Sequence, residues 1–344
     1  MSHEPMTIQE MARKAGVSVA TISRTINPGT RKQVAPETLK RIDALIQKYG
    51  YTPNQAAKNL KQTSYKTLGL LFPHHQGILQ SEYYSSILSG AADSVLGSEY
   101  HLKMILLKPE KPHWDYYDFK NGESIDGLIV TYWRTFFTDK SVLKKIKVPC
   151  VVINNVEEDV HARFIAGDHF EGGRLAAHYL WDHGHRRIAV ISGTQGAPDA
   201  KERFKGFVTG LKEKGVTLPK DSVFDVNFEE AKAYALTDQL LERKPAFTAC
   251  FCMNDCQAHG ILKRLAELGV SCPTRLSLVG YDDERRSAHS NPPLSTVRVP
   301  VYEMAKAAVQ DLIGFLKGSM RPKDFYRPVY FPVSLIPRKS VQKI

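Results

Sequence analysis

Apolar residues near the start of the chain recur with the period of a helix: Ile8, Met11, Ala12 and Ala15 stand at i, i+3, i+4 and i+7. Thr7 and Glu10 frame that run with the spacing of a capping box, and Gly16 follows where a left-handed residue ends a helix at least cost. Ser18 can cap a second helix over 19–26. A third begins at Pro36, with Leu39, Ile42, Leu45 and Ile46 as its apolar stripe. Gly16, Val17 and Ser18, between the first two, have the length and composition of a helix-turn-helix corner.

From Thr67 the period changes. Short apolar runs at 68–72, 102–107, 127–131, 150–154, 188–193, 249–253 and 276–281 predict strands, and stretches such as 84–96, 172–183, 201–214 and 257–268 predict helices between them. That alternation implies an α/β body with parallel sheets covered by helices on both faces, and with ligands bound beyond the carboxyl ends of the strands. At least seven strands point to two sheets. Residues 51–67, between head and body, are polar, with Leu60 as the one large aliphatic side chain, flanked by Lys58 and Lys61. Such a segment is not stable as an isolated helix. Two readings fit it: an inert tether, or a hinge that orders on DNA and wedges Leu60 into the minor groove.

Charge sharpens this division. The 344 residues carry a net +11, of which +7 lies in the first 66, where 11 Lys and Arg face four acids. A basic head on a nearly balanced body is the footprint of a polyanionic partner rather than of general solubility. In a helix-turn-helix the second helix enters the major groove, so Ser18, Val19, Ala20, Thr21, Ser23 and Arg24 are the candidate readers. Arg24 can bond guanine bidentately, Thr21 and Ser23 suit phosphates or bases, and Val19 and Ala20 suit a thymine methyl. A three-helix bundle with no nucleic-acid role has the same spacing.

Other classes find little support. The N-terminal residues lack the charged and apolar regions of a secretory signal, and no apolar run approaches the 18 residues of a membrane helix, so no membrane partner and a cytoplasmic location are expected. Five cysteines in a chain this long do not make a disulfide framework. Neither a dinucleotide fingerprint, a Walker A loop nor a nucleophile elbow occurs, so no cofactor and no enzymatic activity are expected. Gly172-Gly173 suits close helix packing better than a phosphate cradle. The groups His178/His183/His185 and Cys250/Cys252/Cys256 lack zinc spacing and read as surface histidine and core sulfur, so no metal is expected. The strand ends instead gather Thr131, Tyr132, Trp133, Asn154, Arg203, Phe228, Asn254 and Asp282, aromatic faces mixed with donors and acceptors, which suits a sugar. Each is equally readable as a satisfied loop residue, and 283–286 as a solvated charge run.

The whole chain resembles the lactose and galactose repressor (LacI/GalR) family of bacterial transcription regulators. The resemblance runs through Ile8-Gln9-Glu10-Met11-Ala12, Gly16 to Arg24 and Asn27, Tyr51-Thr52-Pro53-Asn54, Gly172-Gly173-Arg174, Gly184 to Ala189, Asn254-Asp255, Val279 to Asp283 and Pro293 to Val297. It implies a helix-turn-helix head over 1–51, a hinge helix and linker over 52–66, and an effector-binding and dimerisation body over 67–344. The body would have two lobes with crossing chain segments, like a periplasmic sugar-binding protein. By the same resemblance Val19, Ala20 and Arg24 read bases, Asn27, Ala57 and Lys61 join the DNA surface, and Leu60 is the intercalating hinge leucine. Arg203, Asn254, Asp282, Asn154 and the stacking Phe228 bind the effector, with His74 a further contact from the first lobe. Ala35, before Pro36, departs from the family's capping serine. The segments 73–84 and 108–126 depart too, the first longer and the second shorter than usual.

The expected protein is thus a repressor that binds a roughly palindromic operator as a homodimer, since no Leu heptad follows Arg338, under the control of a small effector, foremost a carbohydrate. It would work in the bacterial cytoplasm at the nucleoid. A sugar- or purine-binding protein without regulatory DNA binding, or an α/β enzyme acting on sugars, are the alternatives.

Overall fold

The computed structural model describes residues 6–26, 30–49, 64–73, 78–107, 124–131, 143–144, 146–154, 156–157, 160–193 and 197–344. Asn27, Ala57, Leu60, Lys61, His74, Tyr132 and Trp133, all expected at a binding surface, lie outside these residues. The chain forms two compact units, Met1–Tyr65 and Lys66–Ile344.

In the first unit, α1 (Ile8–Ala15), α2 (Val19–Ile26) and α3 (Pro36–Tyr49) follow the expected periodicity. Thr7 and Glu10 form the complete capping box, and Gly16 ends α1 at φ +60°, donating its N–H back to α1 carbonyls. Met11, Ala12, Ala15, Ile22 and Ile42 make the small core, with Leu45 and Ile46 packed against it. Arg31 ties the unit together, donating to the Thr25 carbonyl at 2.9 Å and to Asp43 at 2.5 Å.

The second unit has two sheets. The first, ordered β11-β5-β4-β3-β1-β2, contains β1 (Thr67–Pro73), β2 (His101–Leu107), β3 (Gly127–Thr131), β4 (Cys150–Ile153), β5 (Arg163–Gly167) and β11 (Val329–Phe331). The second, ordered β12-β10-β9-β8-β6-β7, contains β6 (Ile188–Ser192), β7 (Val223–Asp225), β8 (Ala249–Cys252), β9 (Ser277–Asp282), β10 (Ser295–Arg298) and β12 (Ser334–Ile336). Every pairing is parallel except β10 with β12. Strands alternate between two buried faces, which is why they read as continuous apolar runs. Val190, Phe251 and Val279 face a cluster that spans both lobes, while Ile191, Cys250, Cys252 and Leu278 face a separate one. Cys250 and Cys252 are thus core sulfur, and no group that could hold a metal exists among the described residues.

The helices of the body are α4 (Glu82–Val95), α5 (His169–Asp182), α6 (Pro198–Glu213), α7 (Glu230–Glu242), α8 (Asp255–Glu267), α9 (Arg285–His289), α10 (Val301–Leu316) and α11 (Pro322–Phe325). Several begin two or three residues earlier than their apolar periodicity suggests, because the cap lies upstream of it: Asp168 accepts from the Glu171 amide to start α5, and Asn254 starts α8. No described helix is long and apolar enough to cross a membrane.

Chain order against sheet order shows three crossings between lobes: after β5, after β10 and after β11. They meet at Gly167, where an added Cβ would lie 2.9 Å from Val299 and 3.4 Å from Val333. The Asp168 amide donates to the Phe331 carbonyl at 2.9 Å across the same bundle. This three-strand hinge aims the carboxyl ends of both sheets at one cleft.

Candidate functional site

On the head, α2 presents a row of side chains with little to do within the fold. Ser18, Val19, Ala20, Ser23 and Arg24 are exposed, and Thr21 is half-buried. The Ser18 hydroxyl accepts from the Thr21 amide at 3.1 Å, which caps the helix and sets the approach of its first turn. Val19, the first residue of α2, is an apolar side chain left 42% exposed. The opposite face is buried through Ile22 and Thr25, whose hydroxyl donates to the Thr21 carbonyl. The helix is therefore anchored on one side and open to solvent on the other.

The cleft of the body is built differently. Helices α5 and α6 cross at glycines: a Cβ at Gly173 would lie 2.0 Å from the Arg203 carbonyl, and one at Gly206 would lie 1.8 Å from that of Phe170. Gly172-Gly173 is thus a packing device, as expected, and it brings His169, at the start of α5, beside Arg203 on α6. The Arg203 guanidinium is buried. Nη1 donates to the Met253 carbonyl at 2.6 Å, Nη2 to Asp199 at 3.1 Å and Nε to His169 Nδ1 at 3.3 Å. It lies 4.2 Å over the Tyr281 ring and 3.8 Å from Asp282 Oδ1. Phe228 covers Gly193 so closely that a Cβ there would meet the ring at 2.1 Å, and its ring centre is 5.9 Å from Arg203.

From Arg203 a directed chain of hydrogen bonds runs into the other lobe. Burial, with the Arg203 charge beside it, holds the His169 pKa well below the usual imidazole range, so the ring is neutral. Because Nδ1 accepts from Arg203, the proton belongs on Nε2, which donates to Asn154 Oδ1 at 3.2 Å. Asn154 Nδ2 then donates to the Tyr83 hydroxyl on α4 at 2.7 Å. Asn154 is buried and sits at φ +61°, and the half-buried Asp282 sits at φ +105°, so both residues occupy backbone regions that ordinary side chains avoid. Burial pushes the Asp282 carboxyl well above the usual range, with Arg203 opposing.

The cleft thus brings together Arg203, Phe228, Asp282 and Asn154. Two expected contacts have other employment. The Thr131 hydroxyl is buried and donates to the Leu71 carbonyl at 2.7 Å, and Asn254 caps α8 in a reciprocal box with Gln257 while donating to the Phe228 carbonyl. The segment after Asp282 is not a solvated charge run. Asp283 accepts from Arg338 at 2.5 Å and Arg298 at 2.7 Å, and Arg286 bridges Glu284 and Glu230. His178, His183 and His185 each hold separate partners: Glu213, the Tyr179 carbonyl, and Thr248 with the Gln342 carbonyl. Sequence reasoning missed Tyr83, His169 and Asp199, which meet the site only in three dimensions.

Comparisons with known proteins agree with both halves. Residues 7–54 match a profile described as bacterial regulatory proteins, lacI family, and residues 177–341 one described as a periplasmic binding protein-like domain. The HTH-type transcriptional repressor PurR of Vibrio cholerae serotype O1 (strain M66-2) is 31% identical over 316 residues, covering 90% of this chain and 91% of its own. The chain belongs to the LacI family. Like its relatives it is a DNA-binding transcriptional repressor and not an enzyme. Among solved structures, this LacI-family protein is similar to a transcriptional regulator CelR–cellobiose complex, with a TM-score of 0.72, 25% identity and coverage of 97% and 99% of the two chains. It shares its fold with a lac repressor dimer bound to operator and the anti-inducer ONPF, at a TM-score of 0.83, 22% identity and coverage of 98% and 100%.

Proposed function

We propose that this repressor binds a roughly palindromic operator as a cytoplasmic homodimer and that a small carbohydrate in the interlobe cleft sets its affinity. Val19, Ala20 and Arg24 read bases, Ser18, Thr21, Ser23 and Asn27 position the helix, and the 52–66 segment follows as a hinge, with Ala57 and Lys61 on DNA and Leu60 wedged between base pairs. Two heads are required because one helix reads a half-site. In the cleft, Arg203, Asp282, Asn154 and Phe228 receive the ligand, with Asn254 and Thr131 behind them and His74, Tyr132 and Trp133 supplied by the other wall.

The observation that carries the effector reading is the buried Arg203 guanidinium facing Asp282 beside the half-buried Phe228 ring. A donor fork next to a carboxyl suits vicinal hydroxyls, and an aromatic face suits the apolar side of a pyranose. The solved regulator–cellobiose complex supports the same choice. A purine is the second reading, favoured by the PurR relatives. Ligand binding would change the lobe angle at the hinge and thereby the spacing of the two heads.

Thermal-shift titration of the full-length protein with neutral sugars and with purine bases separates the two. Stabilisation by a sugar that Arg203→Ala removes is the expected result; stabilisation by purine bases alone would replace the carbohydrate. Operator selection from random duplexes, followed by binding across a salt series, tests the head. Log affinity is expected to fall by about 0.9 per log unit of salt for each neutralised phosphate.

A further inference from the structure

Glu82 and Arg285 stand 203 residues apart in the chain and on opposite lobes, yet they meet. Glu82 is the first residue of α4, and both oxygens of its carboxylate accept from the Arg285 amide at 2.8 Å. The bond is to the backbone, for the Arg285 side chain is 93% exposed, with Nε 3.5 Å from the carboxylate. Arg285 is the first residue of α9, so its N–H has no acceptor within its own helix and takes one from the other lobe. An ionised acceptor makes this bond roughly twice as strong as a neutral one. Beside it the lobes stand apart: a cavity of about 160 Å³ is walled by Tyr83 and Ser86 of the first lobe and by Asp282 and Glu284 of the second.

The segment that carries the Arg285 amide is held at almost every residue. Asp282 and Asp283 both have positive φ, +105° and +59°. Asp283 is clamped by Arg338 and Arg298. The Glu284 amide donates to the buried Asp255 carboxylate at 2.9 Å, which also accepts from the Ser287 and Thr296 hydroxyls, each at 2.6 Å. Residues 283–287 are thus fixed to the second lobe and move with it as one piece. Whatever shifts Asp282 relative to the first lobe also shifts the Arg285 amide relative to Glu82.

We propose that Glu82 is an interlobe latch: its grip on the Arg285 amide makes the closed arrangement of the lobes the predominant one before any effector arrives, and an effector drawn to Asp282 acts on that equilibrium through the same loop. The second part rests on the cleft being the effector site; the first does not. Glu82 is a positioning residue, acting on the lobe angle through a main-chain amide.

Two substitutions remove the bond from its two ends: Glu82→Gln takes away the charge, and Arg285→Pro takes away the donor. The second suits the fold, because proline is favoured at the first helical position and Glu284 before it is extended, at φ −58° and ψ 145°. Arg285→Ala keeps the amide and is the control. A donor–acceptor fluorophore pair at the exposed Lys263 on α8 and Lys323 on α11, carried by non-natural amino acids so that the native cysteines are untouched, reports the lobe distance in single full-length molecules without ligand. Excess unlabelled protein keeps each labelled chain with an unlabelled partner. Wild type and Arg285→Ala are expected to show one high-transfer population. Glu82→Gln and Arg285→Pro are each expected to add a low-transfer population whose share exceeds that in wild type about tenfold or more, the worth of one charge-assisted bond. The double variant is expected to open no further than Arg285→Pro alone. Unchanged transfer in both single variants would overturn the latch, as would opening in Arg285→Ala equal to that in Arg285→Pro. The cleft reading fails on a different result, a sugar or base whose stabilisation survives Arg203→Ala, and that result leaves the latch standing.

Discussion

Arg24, on α2 of the head, stands exposed with only the packing of its helix behind it, whereas Arg203, on α6 of the body, is 5% exposed and bonded to a carbonyl, a carboxylate and an imidazole. The contrast follows from what each is proposed to meet. Duplex DNA brings its own field of phosphates and bonding edges, so a reading side chain can wait in water and be ordered on contact. A small effector must replace water entirely within a closed cleft, so its partners have to be held in place beforehand. Recognition in the head is thus separable from folding, and recognition in the body is not.

The sharpest way to break that contrast is to remove each guanidinium in turn. Arg203→Ala leaves the Met253 carbonyl, Asp199 and His169 without their donor, and losing one partner of a buried charged network costs about 3–5 kcal/mol. Denaturant unfolding of the full chain is expected to show a loss of that size in the body transition, together with loss of the effector response. Unchanged stability would mean that the cleft network is not preorganised.

Arg24→Ala is expected to do the reverse. Stability should stay within about 0.5 kcal/mol of wild type, as for exposed positions generally, while specific operator binding weakens by about 1–3 kcal/mol and discrimination at one base pair relaxes. Equal losses on specific and random duplexes would reassign Arg24 to phosphate contact.

These two regions were also unequally legible. The head could be read almost completely, because capping box, corner and apolar stripe are each decided within about four residues. Seven strands of the body were legible for the same reason, as apolar runs. Five were not: β5, β7, β10, β11 and β12 are three to five residues long, and β5 reads Arg163-Phe164-Ile165-Ala166-Gly167, with no alternation to find. Among pocket residues, Asn154, Phe228, Asn254 and Asp282 stand at strand ends, where the mixture of aromatic and polar groups already suited a sugar, and the family likeness gave each its role; Arg203 was grouped with them but sits on α6. The rest of the network is nonlocal. Asn154 meets Tyr83 across 71 residues and His169 meets Tyr281 across 112, so no sequence window contains either pair.

The contact that links the lobes through His169 carries a smaller, pH-dependent effect. In the unfolded chain the imidazole titrates near 6.5, and in the fold it stays neutral to well below that. Below about pH 6.5 the unfolded state therefore binds a proton that the native state refuses, and stability is lost as pH falls toward the folded value. His259, held down to about 4 by burial, adds a second such group. Asp282 acts in the opposite sense, since its raised folded pKa weighs against the fold as pH rises from the unfolded carboxylate's 3.8. His169→Gln is expected to cost stability at pH 7.5 and progressively less at pH 5.5, by urea unfolding. A difference between the two proteins that is constant with pH would show that His169 titrates in the fold as it does in the unfolded chain, and one that grows as pH falls would show that it is protonated in the fold.

The smallest change tests the head where its own local rules are broken. Helix α3 begins at Pro36, the Leu39 amide bonds back to the Ala35 carbonyl at 3.0 Å, and Ala35, in the capping position, is exposed and has no side-chain acceptor. Pro36 has no N–H to satisfy, so the amides of Glu37 and Thr38 are the ones a hydroxyl at position 35 could receive. Ala35→Ser places that hydroxyl in solvent-accessible space, where it displaces nothing, and is expected to stabilise the head by about 1 kcal/mol. Hydrogen exchange of the α3 amides in the full chain should slow by about fivefold. Operator affinity should remain unchanged, because the reading face of α2 is untouched and the folded head already predominates. A gain in affinity comparable to the gain in protection would instead mean that the head is largely unfolded off DNA, and that its recognition, like that of the cleft, depends on prior order.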